Sequence, residues 1–242
     1  MIKKYNSILI IVCIFILIIG VLGFTNYYNG LTFKKCTQCE SNKIYLIDIK
    51  SPPQNIIHYL ENQFQNNSIH LDPKYNLNSV QGKKINYINL PEQIKTFYES
   101  SSLIQDISKI LNEKVSYADK NEKYRIFARI YDNENDFINW HYDNNFTKGK
   151  RYTLVIPLLL SENNTSDFMI KDQKTELERK INIPLGKGVL YDGSSTYHKI
   201  TYQTKNEKRM VIVIPLYTKY EKNFIGEWRE KIRNITYKLF KV

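Results

Sequence analysis

His141 and Asp143 stand one residue apart in the stretch NWHYDNN. In an extended backbone, residues i and i+2 point to the same side, so an imidazole and a carboxylate would project together. The chain holds four histidines. His58 and His70 fall in polar N-terminal stretches, where a surface position is the default. His198 follows His141 by 57 residues and sits in YDGSSTYHKI between two short apolar runs. Two imidazoles and one carboxylate can occupy one face of an octahedral ion and leave three positions open for small ligands. The plainer reading is a hydrogen-bonded loop pair and an unrelated histidine at a strand end.

These residues need a rigid frame, and the apolar pattern predicts one. SPPQNIIHYLENQF reads as a turn and then a short helix beginning near Ser51 or Gln54. In NLPEQIKTFYESSSLIQDISKIL, Pro91 starts a helix, and Ile94, Phe97, Leu103, Ile104, Ile107 and Ile110 fit one or two amphipathic helices. From about residue 115 the period changes to that of strands: KYRIFARIY, YTLVIPLLL, DFMI, GVLYDG, KITY and MVIVIPLY follow as short runs split by polar residues. The expected fold is mainly β with flanking α-helices, a sandwich or jelly roll. Helical support spans about 51–112, a β core about 115–218, and a final amphipathic helix about 221–240. RYTLVIPL (151–158) and RMVIVIPL (209–216) echo one another, which suggests equivalent strands in two sheets. Proline within each suggests an edge position or a bulge.

Composition narrows the setting. Hydrophobic residues make up 42% and charged residues 24%, as in globular domains. The net charge is +11, but the lysines are scattered and form no long basic run, so a solvated surface is a better reading than a nucleic-acid footprint. Residues 8–24 are seventeen positions without a charge, roughly 25 Å as a helix and longer than a signal peptide's apolar core. This predicts a membrane anchor over 1–25, a stalk over 26–43 and one domain over 44–242. That domain is expected to be extracytosolic, lumenal or extracellular, on a single-pass signal-anchor. Cys36 and Cys39, in CTQC just past the apolar segment, fit a local or intermolecular disulfide in an oxidising compartment. Asn66, Asn145, Asn163, Asn164 and Asn234 begin N-x-S/T sequons.

Residues 123–217 resemble the 2-oxoglutarate- and Fe(II)-dependent dioxygenases, most nearly the prolyl 4-hydroxylase-like branch. The segments that carry the resemblance are RIYDNENDFINWHYDNN, GKRYTLVIPL, PLGKGVLYDG, TYHKI and NEKRMVIVIPL, about 95 of 242 residues. The resemblance implies a double-stranded β-helix core and Fe(II) held by His141, Asp143 and His198. It also implies 2-oxoglutarate as cosubstrate, O₂ as co-reactant, ascorbate as a further candidate cofactor, and succinate and CO₂ as co-products. A cation must meet the distal carboxylate of 2-oxoglutarate. Lys208 and Arg209 lie ten and eleven residues after His198, and strand alternation lets only one of them face inward. Arg209 is the first choice, because a guanidinium pairs with a carboxylate through two bonds. Tyr131 matches a position where relatives place a tyrosine on 2-oxoglutarate, and Thr153 is expected to line the same pocket.

The implied activity is hydroxylation of a substrate, with a peptidyl prolyl or lysyl side chain favoured and glycan, lipid or small-molecule substrates left open. Trp140 and Tyr142 flank the site and either shape its rim or pack on the sheet. The loops 132–137 and 144–150 are expected to be mobile and near the mouth. Three other readings compete. A zinc hydrolase would accept the same three ligands plus water, but has no use for a basic residue on the last strand. A membrane-anchored jelly-roll binding module would carry a degenerate, metal-free site. A nucleic-acid demethylase on the same fold conflicts with the predicted anchor.

Overall fold

The structure is a computed structural model that describes residues 43–65, 82–85, 87–100, 102–162 and 166–228. The predicted anchor and stalk, the CTQC pair, and the sequons at Asn66, Asn163, Asn164 and Asn234 lie outside these residues. Among the described residues, no helix is long and apolar enough to cross a membrane. Of the predicted C-terminal helix, residues 224–228 are helical and 229–242 lie outside the description.

Eleven strands are described, and all of their pairings are antiparallel. The larger sheet contains β1 (Ile44–Asp48), β9 (Lys187–Asp192), β6 (Arg151–Leu160), β11 (Arg209–Tyr217), β4 (Phe127–Tyr131) and β2 (Lys83–Ile85) in that spatial order. The short β3 (Ser116–Tyr117) pairs with the end of β11. The smaller sheet runs β5 (Ile138–His141), β10 (Tyr197–Ile200), β7 (Phe168–Lys171), β8 (Glu178–Ile181). Three helices, α1 (Gln54–Gln65), α2 (Glu92–Glu99) and α3 (Leu103–Leu111), precede most of the strands. The edge strand β1 was not foreseen from the sequence.

The larger sheet is buried on both faces. Met210, Ile212, Ile214 and Leu216 of β11 pack in one cluster with Leu60, Phe64, Ile94, Tyr98 and Ile107 of the helices. The alternate residues Val211 and Val213 join Phe127, Val155 and Tyr191 in a second cluster, against Phe168, Ile170 and Ile200 of the smaller sheet. This period-two division creates the two-sheet core of a jelly roll. The helical periodicity is less exact than expected: Tyr98 is buried beside Ile94, whereas Ile110 is 39% exposed.

The echoed segments are not counterparts in two sheets. β6 and β11 are adjacent partners at the centre of one sheet, and neither is an edge. Their prolines are tolerated for local reasons. Pro157 falls at the register shift between Met210 and Val211, where one residue is left over as a bulge. Pro215 lies between the stretch of β11 that pairs with β4, ending at Val213, and the stretch that pairs with β3, starting at Leu216. No ladder on that side therefore needs its missing N–H.

One polar knot ties the helices to the β core. Arg125 Nε donates to Glu99 Oε1 at 2.6 Å, Tyr87 Oη donates to the same oxygen at 2.7 Å, and Tyr117 Oη donates to the Tyr98 carbonyl at 2.7 Å. Burial alone would raise the Glu99 carboxyl, but hydrogen bonds from Arg125 and Tyr87 hold it below its ordinary 4.5. A lowered folded value gives stability that is present above the unfolded value and lost as pH falls through the folded one. Glu99→Gln is expected to cost about 2 kcal/mol in urea unfolding near neutral pH. The gap between variant and wild type should close as pH falls below the ordinary 4.5 and through the lowered folded value.

Candidate metal centre

Register brings the two histidines together. β10 pairs with β5 so that His198 stands directly opposite His141, and the ring centroids are 4.2 Å apart. The register shifts between this pair and Ile200↔Ile138, a bulge that re-aims the strand beside the site. Asp143 lies two residues beyond the end of β5 and returns to the same side. One ligand atom from each of His141, Asp143 and His198 lies within 4.8 Å of the other two.

Backbone carbonyls fix which nitrogen of each ring faces the centre. His141 Nδ1 is 2.8 Å from the Asn139 carbonyl, and His198 Nδ1 is 2.9 Å from the Thr196 carbonyl. A carbonyl only accepts, so each Nδ1 carries the proton and each Nε2 offers a lone pair. His141 Nε2 is 4.0 Å from Asp143 Oδ1. Burial lowers the pKa of both rings, and His198 pushes His141 further down, to about 3. Both rings are therefore neutral at physiological pH, the form that binds metals.

Asp143 is set by four neighbours. Burial would raise its carboxyl, but the Arg151 guanidinium, the two imidazoles and the Thr153 hydroxyl hold it at about 2. Arg151 Nη2 is 3.7 Å from Oδ1, and Thr153 Oγ1 donates to Oδ2 at 2.5 Å. The Asp143 amide donates to the Gly193 carbonyl at 2.8 Å. A Cβ on Gly193 would lie 2.6 Å from Asp143 Oδ2 and 2.7 Å from Thr153 Oγ1. The turn after β9 can therefore approach the carboxylate this closely only with glycine there.

Beside the three side chains lies a cavity of about 70 Å³ between the sheets, room for several water-sized groups. Arg209 and Tyr131 line it and face each other across β11 and β4. Arg209 is 3% exposed, and burial lowers its pKa. Its Nη1 donates to the Ser166 carbonyl at 2.8 Å, while its Nε is buried without a partner. The structure does not bring Lys208 to this cavity. One residue out of phase, it faces the helices and pairs with Glu61 at 2.9 Å. Thr153 lines the cavity, with its hydroxyl committed to Asp143.

Four residues of the site were not singled out from the sequence. Arg151 and Gly193 position Asp143. Arg129, two residues before Tyr131 on the same face of β4, lines the cavity as a second guanidinium. Tyr191 of β9 is 2% exposed and places its hydroxyl 3.2 Å from His198 Nε2; burial pushes its pKa well above 10, so it remains a hydroxyl. Trp140 and Tyr142 turn to the outer face, where both pack on Tyr197. The two flanking loops, expected to be mobile, are tied by hydrogen bonds. Asp136 Oδ2 accepts from the amides of Asp132 and Asn133, and the Asn145 amide group bonds Thr147 and the Gly149 carbonyl.

No family model and no curated protein matches the sequence. Solved structures share its fold. A Pseudomonas putida prolyl-4-hydroxylase aligns with a TM-score of 0.51 at 11% identity over 73% of this chain and 92% of its own. A Trichoplax adhaerens prolyl hydroxylase, in complex with a hypoxia inducible factor oxygen degradation domain peptide fragment, aligns at 0.52 and 17% identity over 73% and 84%. The epimerase SnoN, in complex with Fe3+, alpha ketoglutarate and nogalamycin RO, aligns at 0.55 and 9% identity over 73% and 79%. The chain has the fold of the non-haem, 2-oxoglutarate-dependent iron oxygenases.

Gly193→Ala is expected to displace Asp143 and weaken binding of Mn(II) or Fe(II) at least tenfold, measured by calorimetric titration, with little change in far-ultraviolet circular dichroism.

Proposed function

We propose that this protein is an Fe(II)- and 2-oxoglutarate-dependent dioxygenase that hydroxylates its substrate. The convergence of two imidazole lone pairs and one ionised carboxylate, beside a cavity lined by a buried guanidinium whose Nε lacks a partner, carries this reading. His141, Asp143 and His198 would hold the iron on one face. The Arg209 Nε–H lacks a partner in a place where an unmade hydrogen bond is costly, and a carboxylate at the cavity floor would satisfy it. Arg129 adds a second positive charge to the same cavity, which suits a ligand with two carboxylates. Tyr131, opposite Arg209, would orient that ligand.

Iron and 2-oxoglutarate, when bound, would supply the oxygen activation, with succinate and CO₂ as co-products. The protein's own residues supply orientation and exclusion of water. Val155, Phe168, Val211 and Val213 wall the cavity and keep bulk solvent from the reacting groups. Asp143, kept ionised by Arg151 and Thr153, would leave a ferrous site with net charge +1, suited to an anionic chelator. A zinc hydrolase would leave the two cavity guanidiniums without a task.

The likeness to two prolyl hydroxylases, one of them holding a peptide, supports a peptidyl prolyl or lysyl side chain as the substrate. The uncharged stretch 8–24 supports a single-pass anchor with the catalytic domain outside the cytosol.

Anaerobic titration of the purified protein with Fe(II) and then 2-oxoglutarate tests the reading, followed by succinate measurement in air without substrate. One equivalent of each should bind, and succinate should form slowly. His141→Ala should lose both metal binding and turnover. Arg209→Gln should keep the metal and bind 2-oxoglutarate roughly tenfold to a hundredfold more weakly, as loss of a charged hydrogen bond implies. A wild-type protein with no affinity for Fe(II) would sink the enzyme reading.

A further inference from the structure

The hydrogen bond from Tyr191 to His198 conflicts with occupation of the metal site. His198 Nδ1 is engaged by the Thr196 carbonyl at 2.9 Å, so Nε2 has the ring's one lone pair. Tyr191 Oη, 3.2 Å away, donates to that lone pair. Tyr191 is fixed there: it is 2% exposed, pairs with Thr153 across β9 and β6, and its ring packs edge-on to the imidazole at 4.9 Å. Among the described residues, His198 is the one hydrogen-bond partner of its hydroxyl. The same Nε2 is the atom His198 has left to offer an ion. One lone pair cannot serve both, so filling the site releases a buried hydroxyl beside it, and a buried donor does not stay unpaired without cost.

We propose that Tyr191 is a switching hydrogen-bond donor of the metal centre. In the metal-free protein it caps His198 Nε2; in the filled site it donates to an oxygen of the bound cosubstrate. The proposal rests on the metal reading above and adds a residue that opposes metal entry and favours cosubstrate binding. Tyr191→Phe keeps the ring and its packing and removes only the hydroxyl.

The test uses Mn(II), which fills such a site without oxidation, and then 2-oxoglutarate, each titrated by calorimetry into wild type and Tyr191→Phe. Circular dichroism and thermal melting of both proteins confirm that the variant is folded. Release of one neutral hydrogen bond predicts that the variant binds Mn(II) roughly threefold to tenfold more tightly. The Mn(II)-loaded variant should bind 2-oxoglutarate more weakly by a similar factor. A side chain that served packing alone would move neither constant. Mn(II) affinity in the variant equal to or below that of a wild type that does bind the ion overturns the proposal and leaves the metal reading standing. Unchanged 2-oxoglutarate affinity overturns the donation to the cosubstrate. Absence of Mn(II) binding by wild type overturns both readings together.

Discussion

An ionised carboxylate almost enclosed by protein is costly to maintain, and the arrangement of this site follows from keeping Asp143 charged. Its side chain is 16% exposed, so water does little for it. In place of water it has the Arg151 guanidinium and the Thr153 hydroxyl, and the two neutral imidazoles stand beside it. These neighbours come from three strands: His141 from β5, Arg151 and Thr153 from β6, His198 from β10. The carboxylate therefore sits where side chains of the two sheets meet. Gly193 adds the steric half of the same constraint by letting the turn after β9 close on the carboxylate.

Much of this was legible in the sequence, for specific reasons. Histidine is rare in the chain, so His141 and His198 stood out, and a two-residue step to Asp143 meant the same side of a strand whatever the fold. The strand runs after residue 115 were long and apolar enough to show themselves. The choice between Arg209 and Lys208 was harder to read. MVIVIPLY is apolar at every position because both faces of β11 are covered, so composition does not reveal which residues point inward. Only the packing of Val211 and Val213 against the smaller sheet shows that Arg209 shares their face.

Residues that act through cross-strand neighbours were hidden for a related reason. Tyr191 is one of 19 tyrosines and Arg129 one of 35 basic residues; neither type nor spacing sets them apart. Their place in the site depends on register: Tyr191 opposite Thr153, Arg129 opposite Val211. Gly193 was visible as a turn residue, but its proximity to Asp143 joins positions 50 apart in the chain. The echo of RYTLVIPL in RMVIVIPL misled in the other direction, since similar sequence here reflects two adjacent, doubly covered strands and not a repeated architecture.

The tether on Arg209 has a consequence for selectivity. Its Nη1 grips the Ser166 carbonyl, in the connection by which the chain passes from β6 in one sheet to β7 in the other. The guanidinium cannot swing freely to meet whatever anion enters. Its Nε is the donor left without a partner, and on the proposed reading an anion would have to meet that donor in a compatible plane. A flat carboxylate can do so; a spherical halide gains less from a directional donor than from diffuse charge. On the proposed reading, this tether would make the cavity select anions by shape, through a bond to the connection between the two sheets.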